Sequence, residues 1–283
     1  MSLGTDENKA KEIVKRALDL GINYFDTADL YDFGLNESIV GNAIKENREN
    51  VILATKVGNR FEEGKSGWDW DPSKAYIKSA VKKSLQRLQT DYIDLYQLHG
   101  GMIEDNMDET IEAFEELVEE GVIRYYGISS IRPNVIKNYV QKSNIVSVMM
   151  QYSIFDRRPE EEILDLLFDH HKSVIARGPL AKGLLTEKFT KKLKGSNYLD
   201  YSSEELTKFL PTLKERFKNK SLTNVALQYS LYHPSVAAVI PGASSMEQLL
   251  ENMEQMLAGP ISEEEYEWIQ ANTKENVYDS HRN

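Results

Sequence analysis

The chain has 283 residues, 41% of them hydrophobic and 28% charged, with no cysteine and a formal net charge of −11. That balance supplies a sizeable apolar core, while the absence of cysteine excludes disulfides, thiolate metal sites and cysteine nucleophiles. The acidic excess argues against a nucleic-acid surface, which needs clustered Lys and Arg, and no apolar run is long enough for a membrane helix. With no leader-like start either, a cytoplasmic protein is expected, with neither nucleic acid nor membrane as partner.

Taken in chain order, an amphipathic helix is predicted over 6–20 and a strand over 22–26, then helix 36–47, strand 51–56, helix 73–89 and strand 93–98. Helix 107–120, strand 124–128, helix 133–142, strand 145–150, helix 159–171 and strand 173–177 follow. The chain closes with helices 203–219 and 221–233, strand 236–240, and helices 245–257 and 262–272. Parallel strands need crossover connections, so this alternation implies a parallel sheet. Punctuation agrees with the register: Asp71-Pro72 opens a helix, Gly21 and Gly121 stand where helices should stop, and Ser244-Ser245-Met246-Glu247 reads as a capping box. Seven strands are one short of an eight-stranded barrel. The expectation is therefore a single α/β domain over 1–283, a (β/α)8 TIM barrel whose first strand is truncated, because the chain opens at Met1-Ser2-Leu3-Gly4 directly before a helix. Two long loops, 57–72 and 186–203, follow strands on the face where such barrels carry chemistry. The basic stretch Lys188 to Lys194 reads as a solvated loop.

Three apolar runs end on polar groups: Ile22-Asn23-Tyr24-Phe25-Asp26, Val51-Ile52-Leu53-Ala54-Thr55-Lys56 and Ile93-Asp94-Leu95-Tyr96-Gln97-Leu98-His99. As adjacent parallel strands they would bring Asp26, Lys56 and His99 to one rim, within reach of Tyr31. A phenol has a pKa of about 10 and is a poor acid near neutrality unless a cation favours its ionised form. Lys56 supplies a cation, Asp26 holds it, and His99 can orient a carbonyl oxygen. The set suits protonation of an alkoxide and leaves hydride delivery to a cofactor. Each group also has a bland alternative, as a strand-end turn, one of 15 tyrosines, a rim lysine or a satisfied histidine. Only their joint placement raises the catalytic reading. The five histidines are too scattered for a metal hydrolase, so no metal site is expected. Neither a Rossmann glycine fingerprint nor a P-loop occurs.

The segments Gly21-Ile22-Asn23-Tyr24-Phe25-Asp26-Thr27-Ala28-Asp29-Leu30-Tyr31, Ala54-Thr55-Lys56, Asp91 to His99, Gly127-Ile128-Ser129-Ser130, Pro179 to Thr186 and Ile240-Pro241-Gly242-Ala243 resemble, in this order, the aldo-keto reductases, bacterial members in particular. The resemblance implies a (β/α)8 barrel that binds NADPH in extended form without a Rossmann domain, NADH remaining an alternative. It implies a tetrad of Asp26, Tyr31, Lys56 and His99, with Tyr31 as proton donor and a small-molecule carbonyl as substrate. Ser129 and Ser130 match the pair that holds the nicotinamide amide. Pro179, Leu180 and Lys182 fall in the loop over the pyrophosphate, and Gly242, Ser244, Ser245, Gln248 and Asn252 fall at the adenosine end.

The chain departs from the family pattern at several places. Ser130 replaces the usual Asn, Met149 replaces a Gln for which Gln151 can substitute, and Arg177 stands where an aromatic commonly stacks on the nicotinamide. Basic residues that grip a 2′-phosphate are absent from Gly242 to Gln248, and the family's N-terminal hairpin and most of its first strand are missing. Trp68 and Trp70 are candidates for a substrate-pocket wall, or for packing the loop onto the barrel. Arg157 and Arg158 read as rim residues paired with Glu160 to Glu162, and Arg177 as a candidate for a substrate carboxylate. The sequence therefore predicts an NADPH-dependent reductase of aldehydes and ketones. The alternative is an NADPH-binding regulatory or sensor protein on the same fold, and oligomeric state is open.

Overall fold

A computed structural model describes residues 6–61, 66–193, 195 and 197–282. The strand stub expected at 1–4, residues 62–65 of the tryptophan loop and Lys194 of the basic stretch lie outside the described residues. By backbone contacts the chain divides into two compact units, Met1–Ser130 with Asn134–Val148 and Ala243–Leu249, and Ile131–Pro133 with Met149–Gly242 and Leu250–Asn283.

Unit 1 opens with α1 (Glu7–Asp19), where Asp6 accepts the Lys9 N–H and Ala10, Ile13, Val14 and Ala17 form the buried stripe. Spacings of three and four place these side chains on one face, and burying each Ile or Val stabilises by roughly 1.5–3 kcal/mol. Strand β1 (Tyr24–Asp26) leads to α2 (Leu35–Ile44), then to β2 (Ile52–Val57). The loop beyond β2 holds a short antiparallel ladder, β3 (Asn59–Arg60) with β4 (Asp69–Trp70). Helix α3 (Lys74–Leu88) starts at the Ser73 cap and stops where Gln89 turns left-handed. Strand β5 (Ile93–Leu98), α4 (Met107–Glu119), β6 (Ile123–Ser129) and α5 (Pro133–Lys142) follow. Within this unit β1 pairs with β2, β2 with β5 and β5 with β6, all parallel. Strand β5 is buried along its whole length, as a strand covered on both faces must be.

Strand β7 (Ser147–Gln151) runs from unit 1 into unit 2. Unit 2 continues with α6 (Ile163–Asp169), β8 (Ser173–Arg177), the single turn α7 (Phe189–Lys192), α8 (Ser203–Arg216), α9 (Leu222–Leu231) and β9 (Val236–Ile240). Here β8 and β9 pair in parallel. Helix α10 (Met246–Leu257) begins in unit 1, and α11 (Glu263–Asn272) belongs to unit 2.

All seven expected strands are present, and the main sheet counts seven among the described residues, not the eight of a complete (β/α)8 barrel. Three local expectations change. The box at α10 is shifted by one residue: Ser245 Oγ accepts the Gln248 N–H at 3.3 Å while the Gln248 side chain accepts the Ser244 N–H at 2.8 Å, because the helix starts at Met246. Arg157 is buried rather than on a rim, and besides Glu160 at 2.8 Å it holds the Gln270 carbonyl at 2.9 Å. Arg158 pairs with Asp156 at 2.7 Å, a carboxylate outside the expected Glu160 to Glu162.

Candidate active site

The four residues of the expected tetrad lie within unit 1. Register explains their meeting: Asp26 sits opposite Ala54, Lys56 lies two residues further along β2, opposite Gln97 on β5, and the His99 N–H donates to the Val57 carbonyl at 2.7 Å. Residues two apart share a strand face, so Ala54 and Lys56 follow the same side past the end of β1.

Lys56 is fully buried, and its ammonium forms an ion pair with Asp26 and donates to the Thr27 carbonyl at 2.7 Å. Gln97 Nε2 donates to the other Asp26 oxygen at 3.2 Å. A buried ammonium is tolerable only when paired and hydrogen-bonded, and these partners meet that condition. On its remaining side Lys56 Nζ lies 5.1 Å from the centre of the Tyr31 ring, whose edge-on neighbour at 5.7 Å between centroids is His99. Tyr31 and His99 are both partly accessible, unlike Lys56. The arrangement is a phenol open to an incoming group, backed by a sheltered cation and flanked by an imidazole.

Sequence reasoning missed the layer beneath. Thr27 Oγ1 donates to Asn36 at 2.8 Å, tying the end of β1 to α2. Glu37, buried in the same helix, accepts Thr55 Oγ1 at 2.6 Å and pairs with Arg87 of α3 at 2.6 Å. No sequence signal marks Asn36 and Glu37 as buried, because polar residues at the start of a helix read equally well as a solvated face. Directly after Tyr31, Asp32 and Phe33 both have left-handed backbone, with φ of 50° and 53°. Non-glycine residues avoid that region at a cost of about 1–2 kcal/mol each, and such strain gathers at functional sites. Phe33 is exposed and meets Phe61 edge-on at 5.5 Å.

The two candidate wall residues separate. Trp68 is 54% exposed, whereas the Trp70 indole N–H donates to Asp105 at 3.0 Å. The Trp70 ring lies so close to Gly58 that a β-carbon there would come within 2.6 Å of it.

The other candidates fall as follows. Ser129 ends β6 and Ser130 follows it, partly accessible and buried respectively, in unit 1. Ser244, Ser245 and Gln248 are joined at the start of α10. In unit 2, Arg177 at the end of β8 donates to Gln151 at 3.2 Å, Gln151 donates to the Tyr198 hydroxyl at 3.3 Å, and Met149 is buried. Pro179 is buried and Leu180 partly so. They lead into a tight turn in which Ala181 and Lys182 take φ of 45° and 58°, and Lys182 is exposed and forms no ion pair among the described residues. Asn252 donates to the Gly242 carbonyl at 3.2 Å. No cluster of His, Asp or Glu suited to a metal occurs among the described residues, and no helix there is long and apolar enough to cross a membrane.

A buried, carboxylate-held lysine behind an accessible tyrosine, with a histidine at its edge, is the equipment of a protein that moves a proton to or from a small oxygen-bearing molecule. The aldo/keto reductase family model matches residues 1–273, and the chain belongs to that family of NAD(P)H-dependent oxidoreductases. An uncharacterized oxidoreductase of Bacillus subtilis (strain 168), YqkF, is 63% identical over 286 residues, covering all of this chain and 93% of that protein. The aldo-keto reductase AKR11C1 from Bacillus halodurans, in its holo form, superposes with a TM-score of 0.95 at 59% identity, over 100% of this chain and 93% of that one. An aldo/keto reductase from Klebsiella pneumoniae in complex with NADP and acetate gives a TM-score of 0.77 at 25% identity, over 98% and 90% of the two chains. The fold is thus that of the aldo-keto reductases, with seven main-sheet strands among the described residues.

Proposed function

We propose that the protein reduces aldehydes and ketones with NADPH, with Tyr31 as the proton donor. The observation that carries this reading is the Asp26–Lys56 pair buried behind an accessible Tyr31. The cofactor, when bound, supplies the hydride that reaches the carbonyl carbon. His99 donates to the carbonyl oxygen and fixes its direction. Tyr31 then gives its hydroxyl proton to that oxygen, and Lys56 stabilises the negative charge left on the phenol. Asp26 and the Thr27 carbonyl keep Lys56 charged and aimed.

Each unit, taken by itself, carries groups suited to part of a dinucleotide. The exposed ammonium of Lys182, with no carboxylate partner among the described residues, suits a phosphate group, and Ser129 and Ser130 offer hydroxyls for a carboxamide. Helix α10, twelve residues long, offers amide donors and a favourable dipole at its start, and Ser244, Ser245 and Gln248 add polar groups there. NADPH as the preferred form follows the family resemblance and the NADP complex of the Klebsiella relative, although Gly242 to Gln248 hold no basic residue.

The test is Tyr31→Phe, with NADPH and NADH titrated by fluorescence and turnover followed over an aldehyde panel. The variant should bind cofactor as the parent does and lose about two or more orders of magnitude in kcat. Near-normal turnover would overturn the assignment. Saturable cofactor binding by the parent with no turnover across the panel would favour a sensor instead.

A further inference from the structure

Asp29 lies between Asp26 and Tyr31 in the sequence, yet the tetrad does not use it. It is 1% exposed, and neither carboxylate oxygen has a hydrogen-bond partner among the described residues. The Leu30 N–H faces the carboxylate without the geometry of a hydrogen bond. Its own N–H donates to the Lys56 carbonyl at 3.3 Å, so Asp29 is anchored to the residue that carries the site's cation. The charged and titratable groups that face it are Glu37 from α2, Arg87 and Tyr76 from α3, Lys56 from β2 and Tyr96 from β5.

Neither cation is available to Asp29. Arg87 is engaged by Glu37, and Lys56 by Asp26 and the Thr27 carbonyl. The Tyr96 hydroxyl is itself buried without a partner among the described residues. An ionised Asp29 would be a carboxylate with only the poorly aligned Leu30 N–H facing it, beside the buried Glu37, and a group so placed takes up a proton rather than keep the charge. Burial, and then the charge of Glu37, push its pKa up to about 8, against a weaker pull from the Leu30 N–H, Arg87 and Lys56.

We propose that Asp29 is a positioning residue for the tetrad: as the neutral acid it leaves the Lys56 charge undivided between Asp26 and Tyr31, and on losing its proton to solvent it opposes the negative charge that Tyr31 develops. This rests on Tyr31 as the proton donor. Reduction should then weaken as the solution becomes alkaline and Asp29 ionises.

Three readouts on the full chain test it. Infrared difference spectra of protein labelled with carboxyl-¹³C aspartate should show a carboxylic-acid carbonyl band at neutral pH that fades through about pH 8 and is missing in Asp29→Asn. Absorbance titration, differenced against Tyr31→Phe, should show Tyr31 ionising at lower pH in Asp29→Asn than in the parent, whether or not the protein turns over. The alkaline decline of kcat should lose its component centred at about pH 8 in Asp29→Asn, with cofactor affinity held within about twofold. An absent acid band, or a Tyr31 titration that does not move, would overturn the proposal. A parent without turnover would sink the reductase reading while the first two readouts still decide this one. Should Asp29→Asn not fold, Glu37→Gln serves: removing the neighbouring charge must shift the loss of the acid band to lower pH, and an unmoved band would refute the electrostatic argument.

Discussion

Gly41→Ala tests how α2 and α3 are held together. Gly41 has ordinary helical backbone, so alanine there should gain up to about 1 kcal/mol of helix propensity. Against that, the added β-carbon would lie 2.4 Å from the Leu88 carbonyl oxygen and 2.6 Å from its α-carbon, where ordinary contact begins near 3.4 Å. The obstacle is backbone at the last residue of α3, so no side chain can swing aside and the helices must part by about 1 Å. The same face of α2, one turn earlier, carries Glu37, which bonds Arg87 of α3 and Thr55 of β2. Overpacking of this kind costs about 1–3 kcal/mol, and strain on the Glu37 bonds adds to it, so the propensity gain loses. For a chain of this length a net loss of about 2 kcal/mol lowers Tm by roughly 3–8 °C. Differential scanning calorimetry at fixed pH reads it. A melting temperature equal to or above that of the parent would refute the claim that backbone contact sets the spacing of these helices.

Asp29→Asn should change how stability depends on pH. With a folded pKa of about 8 against roughly 3.9 unfolded, the parent has its full Asp29 contribution below about pH 4, loses it as pH rises and levels off above about pH 8. The variant's stability relative to the parent, read by urea unfolding across pH, should therefore climb between those limits by up to several kcal/mol; a difference flat in pH would contradict it. Glu37→Ala leaves Arg87 and the Thr55 hydroxyl without their buried partner and should cost about 3–5 kcal/mol in urea unfolding, whereas a loss under 1 kcal/mol would show that the pair is replaceable. Lys182→Ala should weaken cofactor binding roughly fivefold to tenfold at low salt, with kcat for bound substrate little changed, and equal Kd values would remove Lys182 from the phosphate site.

The order of elements was readable because strands and helices differ in period and because Gly21, Gly121 and Asp71-Pro72 punctuate them. The meeting of Asp26, Lys56 and His99 was readable because consecutive parallel strands bring their ends together, which makes these residues neighbours once the strands are recognised. Asp29, Glu37, Arg87 and Gln97 were not readable. Their roles depend on which side chains lose contact with water, and charge on a helix or in a loop carries no sign of that in the sequence. The short ladder of Asn59–Arg60 with Asp69–Trp70 escaped for a related reason: it is two residues long and has no alternation to detect. The eighth strand of a complete barrel is not among the described residues, and the pattern of apolar runs had already counted only seven.

Trp70 has a use beyond its packing. Its ring rests against Gly58 and Gly100, the latter adjacent to His99, and its indole N–H is fixed on Asp105. Trp68 is largely in water, and Trp268 lies edge-on to Phe217 with Arg216 close by. With the other two indoles replaced by phenylalanine, the protein would carry one indole fluorophore, held rigid beside His99. Its emission would report the state of that corner of the site directly, without a dye or any added label.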